Sequence, residues 1–343
     1  MKLLALASAL VFALDGPSNV SPGIERFVSE WFGLSRHQLM ALRDGRAIVR
    51  SLPATDDREI TSVGVIMVHV TPDDYVEQLR DITAFKRSDI VPQVGTFGVA
   101  PAIRDVERLT LPDDDRRDLA QCRRGRCDVQ LPADAMERIS RSVAWNTLEE
   151  AEQVNTAFRA EIVRIANNYL KLGEGGMPVY HDTPVTTSTA VEFRAMAWDE
   201  PALLRQFDSL SEHFRRFPRR TAGVEDLLYW SREKVGRAEV ISLTHLAIQA
   251  LSDRAPVAFI AASRQVYSTH YFDASLGITL LLSEPALPGS TVVVYANRSR
   301  LDVFGGLLGP MKRSMAASRS RAAIEKVLTA LRGRVERRAA SRP

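Results

Sequence analysis

The densest polar run in the strand-like half of the chain is Arg264-Gln265-Val266-Tyr267-Ser268-Thr269-His270-Tyr271-Phe272-Asp273. It brings together a guanidinium that can clamp an anion, an imidazole that titrates near neutral pH, and a carboxylate able to orient either. If the run is a strand, alternation puts Arg264, Val266, Ser268 and His270 on one face and Ser263, Gln265, Tyr267, Thr269 and Tyr271 on the other. Burying Arg264 or His270 unpaired would cost several kcal/mol, so inside a cavity they need carboxylates such as Asp273, Glu233 or Asp226. On an ordinary sheet the same face would simply meet water.

His245 lies within Val240 to Ile248 and shares a strand face with Ile241, Leu243 and Ala247. An imidazole so placed is more often a hydrogen-bonded core residue than a catalyst, yet His245, His270, Arg264 and Asp273 are the set from which proton transfer could be built. Tyr229, Trp230, Tyr267, Tyr271 and Phe272 could line a pocket, their rings burying apolar area while hydroxyls orient a polar head; core packing is the plainer use of the same rings. His69 sits beside Met67 and Val65. His181-Asp182 and Glu212-His213 read as loop or helix-surface pairs without the spaced companions of a metal motif, so no metal and no other cofactor is expected. The sequence has no G-x-S-x-G, P-loop, H-E-x-x-H or G-x-G-x-x-G followed by a helix, which withdraws support from the common hydrolase, NTPase, zincin and dinucleotide classes.

These residues need a scaffold, and its elements follow from spacing. Ser21-Pro22 opens a stretch in which Ile24, Phe27, Val28 and Trp31, then Leu34, Leu39 and Leu42, recur at helical intervals; two short helices fit. A strand over Arg46 to Leu52 precedes a stronger one over Ile60 to Val70, apolar on both faces. Thr71-Pro72-Asp73-Asp74 is a helix start with an N-cap, proline in the first turn and acids at the positive dipole end, and the helix should reach Phe85. From Lys86 to Pro132 the pattern is loops with short strands. Helical spacing returns after Pro132 and runs through Val154, Phe158, Ile162, Ile165 and Tyr169 to Gly173, and again over Pro201 to Phe217. Then come β-branched and aromatic runs at Asp226–Glu233, Ala238–Leu251, Val257–Tyr271, Gly277–Leu282 and Thr291–Asn297, most simply an antiparallel sheet. The chain closes on a helix with Ile324, Val327, Leu328, Leu331 and Val335 on one stripe and arginines over the remainder.

Composition sets the partners. The 343 residues carry 45 Lys plus Arg against 42 Asp plus Glu, so no global field gathers phosphates and nucleic acid is not expected as a partner. The basic excess is local, between Lys312 and Arg338, where it could touch anionic lipid headgroups. Lys2, the apolar run Leu3 to Phe12 and Val11-Phe12-Ala13 have the form of a signal peptide cleaved after Ala13, which points to a periplasmic or secreted protein. The only cysteines, Cys122 and Cys127, enclose Arg-Arg-Gly-Arg. In an oxidising compartment they should pair across a turn that Gly125 allows, a short loop worth at most about 2 to 3 kcal/mol.

The order of elements resembles the START-like helix-grip (SRPBCC-type) superfamily: helix, paired strands, helical insertion, long antiparallel strands and a long C-terminal helix, over residues 40 to 338. Separately, Ser263 to Leu276 and Tyr295-Ala296-Asn297-Arg298-Ser299-Arg300-Leu301-Asp302 resemble an uncharacterised exported bacterial family. The helix-grip resemblance implies an α+β fold in which a curved antiparallel sheet grips the final helix, over residues 46–338 with the insertion near 133–172. N-terminal helices at 14–45 precede it and a disordered tail at 339–343 follows. It further implies a cavity between sheet and last helix for a lipid, sterol or other apolar small molecule, lined by Tyr229, Trp230, Arg264, Tyr267, His270 and Tyr271. The alternatives are an enzyme on the same scaffold using the His/Arg/Asp set, and an envelope interaction protein.

Overall fold

The computed structural model describes residues 22–54, 56–197, 208–252, 254–283, 288–304 and 309–341. The expected leader at 1–13 and residues 201–207 of the helix expected from Pro201 lie outside them.

Two helices open the described chain, α1 (Pro22–Phe32) and α2 (Arg36–Arg43), as the spacing predicts. Ser35 caps α2 through a reciprocal box with Gln38. Strands β1 (Ile48–Leu52) and β2 (Glu59–Val68) follow, then α3 (Pro72–Arg80) and α4 (Ile82–Lys86). The single helix expected after Thr71 is thus two. Thr71 Oγ1 accepts from the Asp74 amide at 3.1 Å to start the first. Asp81, with φ −84° and ψ 64°, breaks it, and its carboxylate caps the second by accepting from the Ala84 amide.

The stretch that reads as loops holds β3 (Gln93–Thr96), a 3-10 turn (Ile103–Val106) and a short helix, α5 (Asp113–Leu119). The cysteine loop comes next, with Cys122 and Cys127 disulfide-bonded and their Cα atoms 4.5 Å apart. Arg123 and Arg126 exchange backbone hydrogen bonds across it, and Gly125, at φ +79°, makes the turn. The helical insertion consists of α6 (Ala133–Ser142) and α7 (Glu150–Leu172), the latter ending in a 3-10 turn at Gly173–Gly176. A small ribbon, β4 (Val179–Tyr180) with β5 (Thr187–Ser188), precedes α8 (Thr189–Ala197) and α9 (Asp208–Arg216).

The late strands are β6 (Val224–Val235), β7 (Ala238–Ala250), β8 (Val257–Ser268), β9 (Phe272–Leu282) and β10 (Thr291–Leu301). They form an antiparallel meander that joins the early strands in one open eight-stranded sheet, ordered β1-β2-β10-β9-β8-β7-β6-β3. The final helix, α10, spans Gly309–Ala340, reaching into the expected tail.

Both faces of this sheet are covered by helices, which is why β2 is buried along nearly its whole length. On one face Val65, Trp230, Leu243, Ile260 and Leu276 pack beneath Val28, Phe158, Ile162, Phe193 and Phe214 of the helix layer. On the other, Ile66, Leu246, Leu281 and Val293 meet Val76 and Leu79 of α3 and the stripe Ile324, Leu328, Leu331 and Val335 of α10. That stripe seats α10 over β2 and β1, toward the sheet's edge, rather than across the middle of the late strands. Gly64 admits it: a Cβ there would stand 2.5 Å from Leu328 and 2.9 Å from Ile324. The first half of α10 is largely exposed, leaving the polar middle of the same sheet face less covered than its ends.

Among the described residues no helix is long and apolar enough to cross a membrane.

Candidate functional site

Arg264 is wholly buried on the helix-layer face. None of the three expected carboxylates holds it. Its Nη2 donates to Glu174 Oε1 at 2.5 Å, from the 3-10 turn that ends α7, and its Nη1 to the Phe214 carbonyl at 3.2 Å. The guanidinium lies 4.1 Å from the centroid of the Phe193 ring, so the charge is matched by one carboxylate, one carbonyl and an aromatic face. Opposite Arg264 in the β7–β8 register stands His245, buried among Phe214, Phe217 and Tyr169.

His245 belongs to a larger cluster. Its Nε2 is 2.8 Å from Asp226 Oδ1, and the Nε2 of His213 approaches the same oxygen at 2.7 Å. Tyr169 Oη and His245 Nδ1 are 2.7 Å apart. The ligand-capable atoms of His213, Asp226 and His245 lie within 4.8 Å of one another. Both imidazoles are buried, while the Asp226 side chain is 25% exposed and gives the cluster its side toward water. Burial pulls the His245 imidazole below its ordinary value, with Asp226 opposing. Burial alone would raise the Asp226 carboxyl; hydrogen bonds from His213 and His245 reverse this and hold it well below the usual carboxylate range.

The expectation that Glu212-His213 is a helix-surface pair is therefore corrected for His213, which has no exposure at all. Its place was legible: Leu210, Phe214 and Phe217 make a stripe with i, i+4, i+7 spacing, and His213 at i+3 lies on it. Tyr169 continues the apolar stripe of α7 in the same way. Glu174, just past a helix end, carried no such signal.

His270 has a different setting. It sits in the three-residue link between β8 and β9, with Nε2 2.9 Å from Asp115 Oδ1 of α5. Burial works against its protonation, but the Asp115 hydrogen bond and charge win and raise its pKa. Tyr271, the last link residue, has φ +66°, a position that favours glycine or asparagine and strains an aromatic residue. The disulfide loop is stitched to this end of the sheet: the Gln130 amide donates to the Thr269 carbonyl, and the Cys127 amide to the Asp182 carbonyl. Burial, reinforced by neighbouring acids, lifts Asp182 to about 6 and Asp273 to about 7. Three buried polar atoms in the segments meeting here, Asp115 Oδ2, Gln130 Oε1 and Tyr267 Oη, have no hydrogen-bond partner. Ser263–Leu276 and Tyr295–Asp302 lie on adjacent strands and join where the Asp302 amide donates to the Tyr271 carbonyl.

The strict alternation expected over 263–271 fails at Val266. The β7–β8 register shifts so that Gln265 faces Thr244 while Tyr267 faces Leu243, and Val266 and Tyr267 are both buried in the helix-layer core. Such a bulge adds one residue and moves every later side chain to the other face. Of the four acid–base candidates, His245 and Arg264 are neighbours. Among the described residues no hydrogen bond or ion pair joins either to His270 or Asp273.

Of the expected pocket aromatics, Trp230 faces the helix layer, with its Nε1 donating to the Asp105 carbonyl at 2.8 Å. Tyr229 faces the α10 side. Lys86 Nζ reaches it there, 2.7 Å from Glu233 Oε1 and 3.4 Å from Tyr229 Oη, and Ser231 also donates to Glu233. Burial lowers the Lys86 pKa and raises that of Glu233, but their mutual attraction wins in both, so the pair stays charged. Across the middle of this face run Ser263, Gln265, Ser275, Thr279, Tyr295 and Asn297, all half-buried. Gln265 donates to Ser242 and Asn297 to Ser275.

No protein family matches the chain by its sequence pattern, and no curated protein matches it. Among solved structures, TTHA0849 from Thermus thermophilus is similar at 17% identity, over 41% of this chain and 88% of that one, with a TM-score of 0.26.

Proposed function

We propose that the protein is an exported binding protein of the helix-grip type, holding a small organic molecule against the sheet face beside α10. The observation that carries this reading is the polar strip of that face, from half-buried Lys86 and Glu233 past buried Tyr229 to half-buried Gln265, Tyr295 and Asn297, between the α3 end and the exposed half of α10. The antiparallel sheet with a long last helix packed on one face supports the helix-grip comparison, and the disulfide together with the apolar run Leu3 to Phe12 supports export. The strip narrows the expected ligand class. A pure hydrocarbon would displace water from these half-buried groups and offer no hydrogen bond in return, a penalty of order 1 to 3 kcal/mol for each polar atom left unsatisfied. A ligand with its own hydrogen-bonding groups, such as an amphiphile whose polar part meets the strip, fits instead. Peripheral membrane contact is the weaker part of the expectation, since Arg313, Arg332 and Arg338 are committed to Asp57, Glu336 and Asp81.

The test is native mass spectrometry of protein purified from the periplasm without denaturation, followed by return of any extracted compound to stripped protein. A stoichiometric adduct should raise the melting temperature, and Gln265→Leu with Tyr295→Phe should weaken its binding at least tenfold. The reading fails if no adduct is found and neither polar organic molecules nor lipids shift the transition.

A further inference from the structure

On the opposite face of the sheet, we propose that His213, Asp226 and His245 form a site for a single first-row divalent cation, zinc by preference. Two imidazole nitrogens and a carboxylate oxygen are the donor set that zinc takes in three-ligand sites, where the fourth position stays open to water or a substrate. Here the three side chains come from α9, from the start of β6 and from β7, and β6 and β7 are locked in register, Leu228 opposite His245 and Asp226 opposite Ala247. The donors therefore converge from rigid elements and not from loops.

The three donors lie close enough to share one ion after a small shift. Both Nε2 atoms aim at one oxygen, Asp226 Oδ1, at 2.7 and 2.8 Å. With zinc bonds of 2.0 to 2.2 Å, a tetrahedral centre spaces its ligand atoms about 3.3 Å apart, so an outward shift of roughly half an ångström by the Asp226 arm opens the space. Asp226 is the partly exposed member and can make that shift, whereas the imidazoles are walled by Phe214 and Phe217.

A second observation comes from the outer contacts. A metal-bound imidazole usually gives its other nitrogen to a hydrogen-bond partner that fixes its tautomer, and Tyr169 Oη stands 2.7 Å from His245 Nδ1. The nearby Arg264 does not repel a cation with an unmatched charge, because Glu174 neutralises it at 2.5 Å. His213 Nδ1 is buried without a partner. That orphan belongs equally to a metal site and to a plain hydrogen-bonded cluster, so it does not separate them.

The separating experiment titrates chelator-stripped full-length protein with zinc and with cobalt(II). The proposal expects one equivalent bound and a visible cobalt spectrum of the intensity that four-coordinate nitrogen and oxygen ligation gives. Asp226→Asn and His213→Gln should each weaken zinc binding by a hundredfold or more, and Tyr169→Phe by about tenfold. His69→Ala, at an exposed histidine beyond the end of β2, should change nothing. If the variants do not fold, X-ray absorption at the zinc edge of the wild-type protein answers alone, two imidazoles in the coordination shell supporting the site. It is overturned by absence of stoichiometric binding, by variants that bind as the wild type does, or by a zinc-edge spectrum without imidazole. Each of those results identifies a hydrogen-bonded cluster only. None of them touches the ligand-binding reading, which concerns the other face of the sheet.

Discussion

Replacing Asp273 by Asn should stabilise the protein at neutral pH and do nothing in acid. Asp273 is 4% exposed. Burial is the first cause that lifts its carboxyl from an ordinary 3.8 to about 7; Asp302, Glu192 and Asp182 add to it, and Arg58 opposes. A carboxyl with a raised folded-state pKa is protonated in the folded protein while it ionises freely in the unfolded chain. The unfolded state then binds fewer protons, and stability falls as pH rises from about 4 to about 7, levelling off above. The shift corresponds to about 4 kcal/mol, an upper bound because water and side-chain rearrangement relieve part of it. Asn has the same shape and cannot ionise. Urea unfolding of wild type and Asp273→Asn at intervals from pH 3.5 to 8.5 should give coincident midpoints near pH 3.5 and a variant more stable by about 2 to 4 kcal/mol at pH 8. A constant difference across the range, or a variant less stable at pH 8, would refute the reasoning: the first would make the effect packing alone, the second would mean that the ionised carboxylate is held by partners.

Two further substitutions test the packing. Arg264→Leu leaves Glu174 without its main partner and should cost about 3 to 5 kcal/mol in urea unfolding, with Glu174→Gln added to it recovering much of the loss; no recovery would mean that the two are not coupled. Gly64→Val drives a side chain into Leu328 and Ile324 and should cost about 1 to 3 kcal/mol, partly restored by Leu328→Ala, a coupling whose absence would place α10 elsewhere.

Much of the scaffold was legible because it depends on local physics. Thr71-Pro72 gave a capped helix start, the Val154-to-Tyr169 stripe gave α7, and the alternating runs after Asp226 gave the meander. Two failures of local reading have local causes of a kind that periodicity does not express. Asp81 re-caps a helix in the middle of a continuous amphipathic stretch, and a bulge at Val266 cancels the alternation that had placed Tyr267. Partners were less legible than elements. Arg264 finds Glu174, 90 residues away in sequence, and His270 finds Asp115 at 155. A need for a carboxylate follows from burial, but which one supplies it depends on how helices dock on the sheet.

That docking divides the chemistry between two faces with opposite requirements. Beneath the helix layer, the buried charges of the central sheet stand in matched sets, Arg264 with Glu174 and two histidines with Asp226. Two polar atoms there, His213 Nδ1 and Arg264 Nε, are buried without a hydrogen-bond partner, a desolvation cost that the surrounding packing must offset. Beside α10 the polar groups are mostly half-buried and several already pair with one another, as Lys86 with Glu233 and Gln265 with Ser242, so exchanging water for a ligand costs them little reorganisation. A histidine at the first location and a glutamine at the second are both polar residues in strands, indistinguishable by composition. What separates them is the helix layer: α7 and α9 seal His245 with Tyr169 and Phe214, whereas α10 stands off toward β1 and β2 and leaves Gln265 within reach of solvent.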